Sequence, residues 1–486
     1  MPDRRYHFGP LERRGLLLGL RAGQLGSVLA GAVIALTALS QVPSVVGIAV
    51  AGLAVTAGIG VAVWPVAGRT LDEWVPAAVR WTTQRSLRRH RHIAQAHLDG
   101  CVVAHGGART PRVVPPPPLA GVEIIAAHLP DRPDGPPVGV IRDRQAGTYT
   151  AVLGLQGDGF ALCDAPIKER RLVWWGSLLD GLAREGCHVH RLQWLVRSTS
   201  DAGTDLAGRL GDSIVLPHTA RPAQSYRQLL AAAAPAVQMH TTHLALQLSA
   251  ARSARAIRRA GGGDIGACAV LLREVTALWT QLVAGELLVD GLLQPSAIAA
   301  LLRAAVLPRP ANGETNDPWP HATEASWSSY RTDLLHHATY WVREWPRIDV
   351  GPDFLAPLLL QCTARRTVAM TMQVEPPLRA QRDAEAAMTA DLADADMRER
   401  AGFIRGVRRR REEETVLQRG EEIAAGHASV RFSAYVTVTA TSNDTLDAAC
   451  ADVEQRAQQA HLDLHRLCGE QDVAFTYTLP LARGLR

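Results

Sequence analysis

A chain of 486 residues and 52.3 kDa, 47% apolar and with a formal net charge of +5, has room for two or three soluble domains beside any membrane segment. Its pI near 9.0 does not mark a nucleic-acid binder, because two short flanks near the N-terminus supply the basic excess and the rest is close to neutral. Seven scattered cysteines, none at Cys-x-x-Cys spacing, exclude a zinc framework and read as reduced thiols of a cytosolic domain; the single lysine, Lys168, lies outside any Gly-Lys-Ser/Thr loop and excludes a P-loop motor.

No charged side chain occurs between Arg21 and Arg69, and Ser40-Gln41-Val42-Pro43-Ser44 divides that stretch. A bilayer crossing takes roughly 20 apolar helical residues, so Gln24–Leu39 and Val45–Val66 predict a two-pass hairpin. Gly31, Ala35, Gly47, Ala51 and Gly58 offer the small side chains that let membrane helices approach closely. Arg4, Arg5, Arg13, Arg14 and Arg21 precede the hairpin, and Arg69, Arg80, Arg85, Arg88, Arg89 and Arg91 follow it. Basic flanks stay inside, which predicts an inner-membrane protein with both termini and the soluble part cytoplasmic. A signal peptide fits poorly, since the second apolar run also ends in arginines and no cleavage site stands out.

From Leu71 to Ala94 the spacing predicts a helix with Leu71, Trp74, Val75, Ala78 and Trp81 on one face and arginines crowding its far end. Trp64, Trp74 and Trp81, with Arg69, Arg85, Arg88 and Arg89, are the candidate membrane-interface residues, contacting lipid headgroups. The competing reading is an ordinary helix packed on the soluble body. Gly106-Gly107, Pro111 and Pro115–Pro118 then mark a stiff linker. The expected organisation is a membrane hairpin with its interfacial helix over 1–98, a linker over 99–120, and two cytoplasmic α+β lobes over 121–310 and 311–486.

In the first lobe Val138–Arg142 and Thr148–Gln156 predict a β-hairpin, Pro166–Glu185 a helix ended by Gly186, and His190–Arg197 a returning strand. Leu244, Leu246 and Leu248 alternate as a strand, and Asp264–Ala284 and Ala297–Val306 read as helices. The Gly261-Gly262-Gly263 run is a loop ahead of the first of these. Ala338–Val342 and Thr367–Val374 read as strands, with a helical piece at Phe354–Leu360 between them. From Arg379 to about Ala425 runs a long charged helix whose Arg405, Arg408, Arg409, Arg410 and Arg411 are offset at once by Glu412, Glu413 and Glu414. A solvated surface accounts for it better than a nucleic-acid contact. Val430–Val438 alternates as a strand, Asn443 and Asp444 can cap the helix carrying Leu446, Cys450, Val453, Ala457 and Leu464, and Val473, Phe475, Tyr477 and Leu479 predict a closing strand. Two units of similar length make a pair of ferredoxin-like lobes the economical fold.

The end of the chain, with Val430–Val438, the helix opened by Leu446, Phe475 and the exit Leu479-Pro480-Leu481, resembles the end of the N-terminal domain of type IV secretion conjugation ATPases. The opening, Phe8-Gly9-Pro10-Leu11-Glu12-Arg13-Arg14-Gly15 and Val66-Ala67-Gly68-Arg69-Thr70-Leu71-Asp72-Glu73-Trp74, is similar to actinobacterial membrane proteins associated with conjugative elements, and its two-pass layout to the PrgI family. The resemblance implies a motorless membrane subunit of a type IV-like DNA transfer channel, without catalytic residues or cofactor, whose lobes dock a separate conjugation ATPase and channel subunits. A second reading is a non-motor subunit of a type VII secretion system, similar to EccE, which also has two passes and a cytoplasmic domain. A third is a membrane-anchored transferase.

Enzymatic signatures are thin. His-Glu-x-x-His and Gly-x-Ser-x-Gly are absent. His90, His92 and His97 sit among arginines that repel a cation, His336-His337 should point to opposite faces of a strand, and Asp394 with Asp396 falls inside the charged helix. Trp174-Trp175 is expected to be core plus rim.

Overall fold

The computed structural model describes residues 5–8, 22–41, 44–63, 65–66, 69–94, 114–157, 159–200, 220–233, 238–307, 318–400, 420–421 and 428–485. The chain is α+β, with two apolar helices ahead of one large antiparallel sheet. Helices α1 (Ala22–Gln41) and α2 (Val45–Val63) are antiparallel neighbours. A two-residue pairing of β1 (Pro65–Val66) with β2 (Arg69–Thr70) leads into α3 (Leu71–Ser86), followed by β3 (Arg91–Ile93). The helix expected to reach Ala94 stops earlier, because Arg88 adopts a left-handed φ of 53° and the chain then enters the sheet.

The next elements are β4 (Val122–Ala127), β5 (Val138–Asp143), β6 (Thr148–Gln156), α4 (Ala165–Leu182), β7 (Val189–Ser200), α5 (Arg221–Ala233), β8 (Gln238–Ser249), α6 (Ala254–Arg259), α7 (Gly263–Ala284), β9 (Leu288–Leu292) and α8 (Pro295–Val306). They are followed by β10 (Ala322–Ala325), β11 (Tyr330–Thr332), β12 (Leu335–Glu344), α9 (Ala356–Leu359), β13 (Arg366–Glu375), α10 (Pro377–Arg400), β14 (Ser429–Ala440), α11 (Asn443–Gln459), β15 (Asp463–Arg466) and α12 (Gln471–Thr476).

Sheet order contains a repeat. From β6 to β9 four strands alternate with helices, α4 after the first, α5 after the second and the α6–α7 pair after the third, and these strands lie side by side as β9-β6-β8-β7. From β12 to β15 the same succession lies as β15-β12-β14-β13. In both units the fourth strand flanks the first and the third separates the first from the second. The second strands, β7 and β13, pair antiparallel about Leu195 and Ala369, so one sheet runs through both units. Each first strand also carries an extension: β5 and β4 continue from β6, and β11, β10 and β3 from β12.

Both faces of the sheet are covered. Leu271, Leu272, Val275, Leu278 and Leu282 of α7 recur at helical spacing and cover Leu244, Leu246, Leu248 and Leu153. Helix α7 is long and apolar enough to cross a membrane by length and composition, yet this packing explains its character as a helix over a sheet. In the second unit Leu446, Cys450, Val453 and Ala457 of α11 cover Val436, Val438 and Ala338. On the opposite face, Ile298, Leu302 and Val306 of α8 meet Ile141, Val152, Leu195 and Ala245, with Phe475, Leu479 and Leu481 alongside.

That last packing corrects the expected closing strand at 473–479. The strand is Asp463–Arg466, and Gln471–Thr476 forms α12. Gln471, Asp472, Ala474, Phe475 and Thr476 are all buried, so the apolar alternation carried no real two-sided pattern. Of the long charged helix, Pro377–Arg400 is helical and residues 401–419 lie outside the described residues.

Candidate functional site

The hairpin is packed inside out relative to a soluble helical pair. All five small residues singled out from the sequence, Gly31, Ala35, Gly47, Ala51 and Gly58, are buried, as is Ala62. A Cβ at Gly31 would lie 2.7 Å from the Ala54 carbonyl oxygen, and one at Gly58 would lie 2.9 Å from that of Ser27, so the helices cross backbone to backbone. Leu29, Val33, Ile34, Leu36, Val45, Val46, Ile48 and Leu53 are meanwhile exposed. Large apolar groups outward and small groups inward suit hydrocarbon surroundings. The few polar groups are satisfied locally: Thr37 and Thr56 donate to carbonyls of the preceding turn, and Gln24 Nε2 donates to Ala62 O at 2.8 Å. At ~1.5 Å per residue, helices of 20 and 19 residues span about 30 Å, the thickness of a bilayer core.

Both sides of the hairpin are tied to the second unit. Before α1, Tyr6 and Val350 exchange two backbone hydrogen bonds of 2.9 and 3.1 Å. His7 Nδ1 lies 3.2 Å from Asp349, and the Phe8 ring stands 5.3 Å from both Trp345 and Phe354. After α2, Trp74 stacks on Trp327 at 5.8 Å and Trp81 meets the same indole edge-on at 5.4 Å. Gly469, at φ 79°, lets the Ala77 backbone come close; a Cβ there would lie 3.0 Å from Ala77 O and 2.9 Å from the Trp327 ring. Arg80 and Gln84 complete the joint by donating to Asp472.

The residues expected at the membrane interface therefore separate. Trp74 and Trp81 face the body, as the competing reading had it, and Arg85 lies 5.2 Å over the Trp81 ring. Arg88 and Arg89 occupy the exposed turn after α3, and the Arg69 backbone pairs with Val66. Trp64 lies outside the described residues.

Beside the β7–β13 seam lie buried cations that sequence reasoning missed. Arg366 is almost fully buried and donates to the carbonyls of Leu358, Leu359, Cys362 and Ala364 at 2.6–2.8 Å. Arg365 donates to Ala304 O and Leu307 O, and Arg197 to Leu301 O. Two guanidiniums thus satisfy the carbonyl end of α8, where a helix dipole favours positive charge. Burial, with Arg365 nearby, pushes Arg197 down to about 10. The one visible signal was the Arg365-Arg366 doublet at the mouth of an alternating strand.

Across the α8 face runs the C-terminal segment. Gln193 donates to Tyr477 O and accepts from Ala482 N, Gln247 donates to Leu481 O, Thr371 to Arg483 O, and Tyr435 to Gly484 O. Arg483 reaches Asp143 at 2.5 Å. This strap crosses β14, β13, β7, β8 and β5, hence both units. A second tie is Lys168, which donates to Asp353 at 2.6 Å from α4 to the loop before α9.

Other residues weighed for chemistry have structural surroundings. His337 is buried between Thr332 and Thr439 while His336 is half-buried on the other face of β12. Trp174 covers Gly285, where a Cβ would lie 2.0 Å from the ring. His92 contacts Val114 O, and His97 lies outside the described residues. Asp394 and Asp396 fall in α10. Among the described residues no three histidine, cysteine or carboxylate groups gather as a metal site.

Among known families, the model described as "Putative type VII ESX secretion system translocon, EccE" matches residues 236–342. That stretch runs from β8 through α7, α8 and the extension strands to β12, less than a quarter of the chain. No curated protein matches the chain. The match overturns the resemblance to conjugation proteins and type IV secretion: the family it indicates is a type VII secretion component. The match falls on the strands and helices from β8 to β12, inside the two expected lobes, whereas the type IV resemblance rested on the two ends of the chain.

Proposed function

We propose that this chain is a non-motor membrane subunit of a type VII secretion system, anchored by α1 and α2 and presenting its sheet to other subunits of the translocon. The observation that carries this reading is the EccE match over 236–342, which spans the passage from the first unit to the second. A hairpin with buried glycines and an exposed apolar shell supports the membrane part. The connectivity of both units, with spatial order fourth-first-third-second, supports two ferredoxin-like lobes joined through their second strands.

In this reading the subunit catalyses nothing itself and its work is placement. The arginine-rich flanks favour a cytoplasmic location for both termini and both lobes, and the attachment of segments before and after the hairpin to one lobe agrees with an even number of crossings. The partners are membrane lipid and the other subunits of the secretion complex, its motor among them. The test is purification of the tagged full-length chain from membranes of its own cell in mild detergent. Recovery with type VII membrane subunits, at fixed stoichiometry through a sizing step, is the expected outcome. Recovery of the chain alone, or with unrelated membrane enzymes, rejects the assignment.

A further inference from the structure

Helix α3 has two usable faces, and the body takes only one. Trp74, Ala77, Trp81 and Gln84 turn toward Trp327, Gly469 and Asp472. The other face carries Val75, Val79 and Thr83, continued by Leu87 in the turn, a stripe at intervals of four residues. Every member is exposed, Val75 by 53%, Val79 by 55% and Leu87 by 62%. Beside its far end stand Arg88 and Arg89, also exposed and without an ion pair among the described residues, whereas Arg85 lies over the Trp81 ring on the body-facing side.

We propose that this outward face of α3 lies on the anionic headgroup layer of the bilayer that the hairpin crosses. Val75, Val79 and Leu87 then enter the acyl boundary, and Arg88 and Arg89 meet lipid phosphates. Three observations select a lipid surface as the occupant. Seven residues separate α3 from the end of α2, and α3 touches both α1 and α2, so it lies at the end of the hairpin, where a crossing helix leaves the bilayer core. The charges at the far end of the stripe, Arg88 and Arg89, are of one sign and complementary to acidic lipid, the acidic Asp72 and Glu73 standing at the opposite end of the helix. A helix with an apolar stripe and a cationic border has the composition of an in-plane membrane helix. The aromatic side, which sequence alone assigned to the headgroups, instead fixes the angle at which the valine side is presented.

This proposal rests on α1 and α2 spanning the bilayer, and its test separates the two ideas. Full-length protein with Cys101, Cys163, Cys187 and Cys468 replaced by serine receives one reporter cysteine, Val79→Cys or Leu36→Cys, labelled with a polarity-sensitive fluorophore. Each is placed in nanodiscs of phosphatidylcholine alone or with one-third phosphatidylglycerol, with or without a lipid spin label at the fifth acyl carbon. The expected result is strong quenching of the position-79 probe, at least twofold greater with the anionic lipid, and return to the zwitterionic level in the R88Q/R89Q variant. The Leu36→Cys probe should be shielded from water under every condition. A position-79 probe that is water-exposed in both discs overturns the proposal, and so does one shielded from water yet unquenched by spin-labelled lipid, which would mean a protein on that face. A water-exposed position-36 probe overturns the anchor itself.

Discussion

His337 shows how a side chain with the look of a catalytic group becomes a structural one. It is fully buried, bonded to Thr332 and Thr439, with its ring 4.6 Å from Phe475. Burial, aided by Arg365, His336 and Arg197, holds it down to about 3. The folded chain therefore resists a proton that the unfolded chain accepts near pH 6.5. Its contribution is complete above that pH and is lost as pH falls from ~6.5 toward 3, amounting to about 2 kcal/mol at pH 5. Chemical denaturation at pH 7.5 and pH 5 should show that loss, and His337→Gln should reduce it. Trp327 makes the opposite point, since nothing in its sequence surroundings marks it as the residue on which α3 rests. Trp327→Ala should cost on the order of 2 kcal/mol and raise amide exchange throughout α3 while leaving α11 protected. Such residues are illegible because their roles depend on neighbours far away in the chain. Gly31 and Gly58 were legible because a close helix crossing imposes a local and familiar requirement.

Single elements were read well wherever one period dominated. The helical spacing over α7 and α8 corresponds to helices with one buried face, and the alternation over β8, β13 and β14 to strands whose successive residues enter the cores on the two sides of the sheet. Failures came where burial was all-round or where the stop signal was conformational: α12 read as a strand, and α3 was drawn through the left-handed Arg88. Two predictions belong at this scale. Gly58→Leu should drive the hairpin apart, because the position of its Cβ is already within contact of Ser27 O and the Gly31 Cα, and should lower the melting temperature of the protein in micelles by several degrees. Removing residues 477–486 strips the strap from the sheet and leaves the side chains of Gln193 and Gln247 without those partners. At roughly 1–3 kcal/mol for each orphaned buried group, the denaturant midpoint should drop and the two units should unfold in separate steps, detectable by following tryptophan fluorescence and far-ultraviolet dichroism together.

For the whole molecule, the sequence disclosed an anchored α+β protein made of two like units but misjudged where each unit closes. The repeat runs from Thr148 to Leu292 and from Leu335 to Arg466, with connections of unequal length, so the eye matched Thr148–Arg197 to Val430–Leu479 instead. Long-range strand order, β9 beside β6 and β15 beside β12, has no local signature. The soluble body also recruits residues from outside its expected bounds, since Tyr6, Phe8, α3 and β3 all pack on the second unit. A protein cut at residue 121 should therefore expose the Trp327 surface and aggregate, where one that retains residues 69–486 stays dispersed; light scattering at matched concentration distinguishes them. The Lys168–Asp353 tie has a practical corollary for testing the proposed place in a secretion complex. With the chain's single ε-amine enclosed and neutralised, amine-coupling reagents find little to react with on this protein, so a proximity map built from them would show a gap where the subunit sits. Carboxylate-directed or photoactivated reagents, which can use exposed groups such as Asp383 and Glu385 of α10, are the means to draw it in.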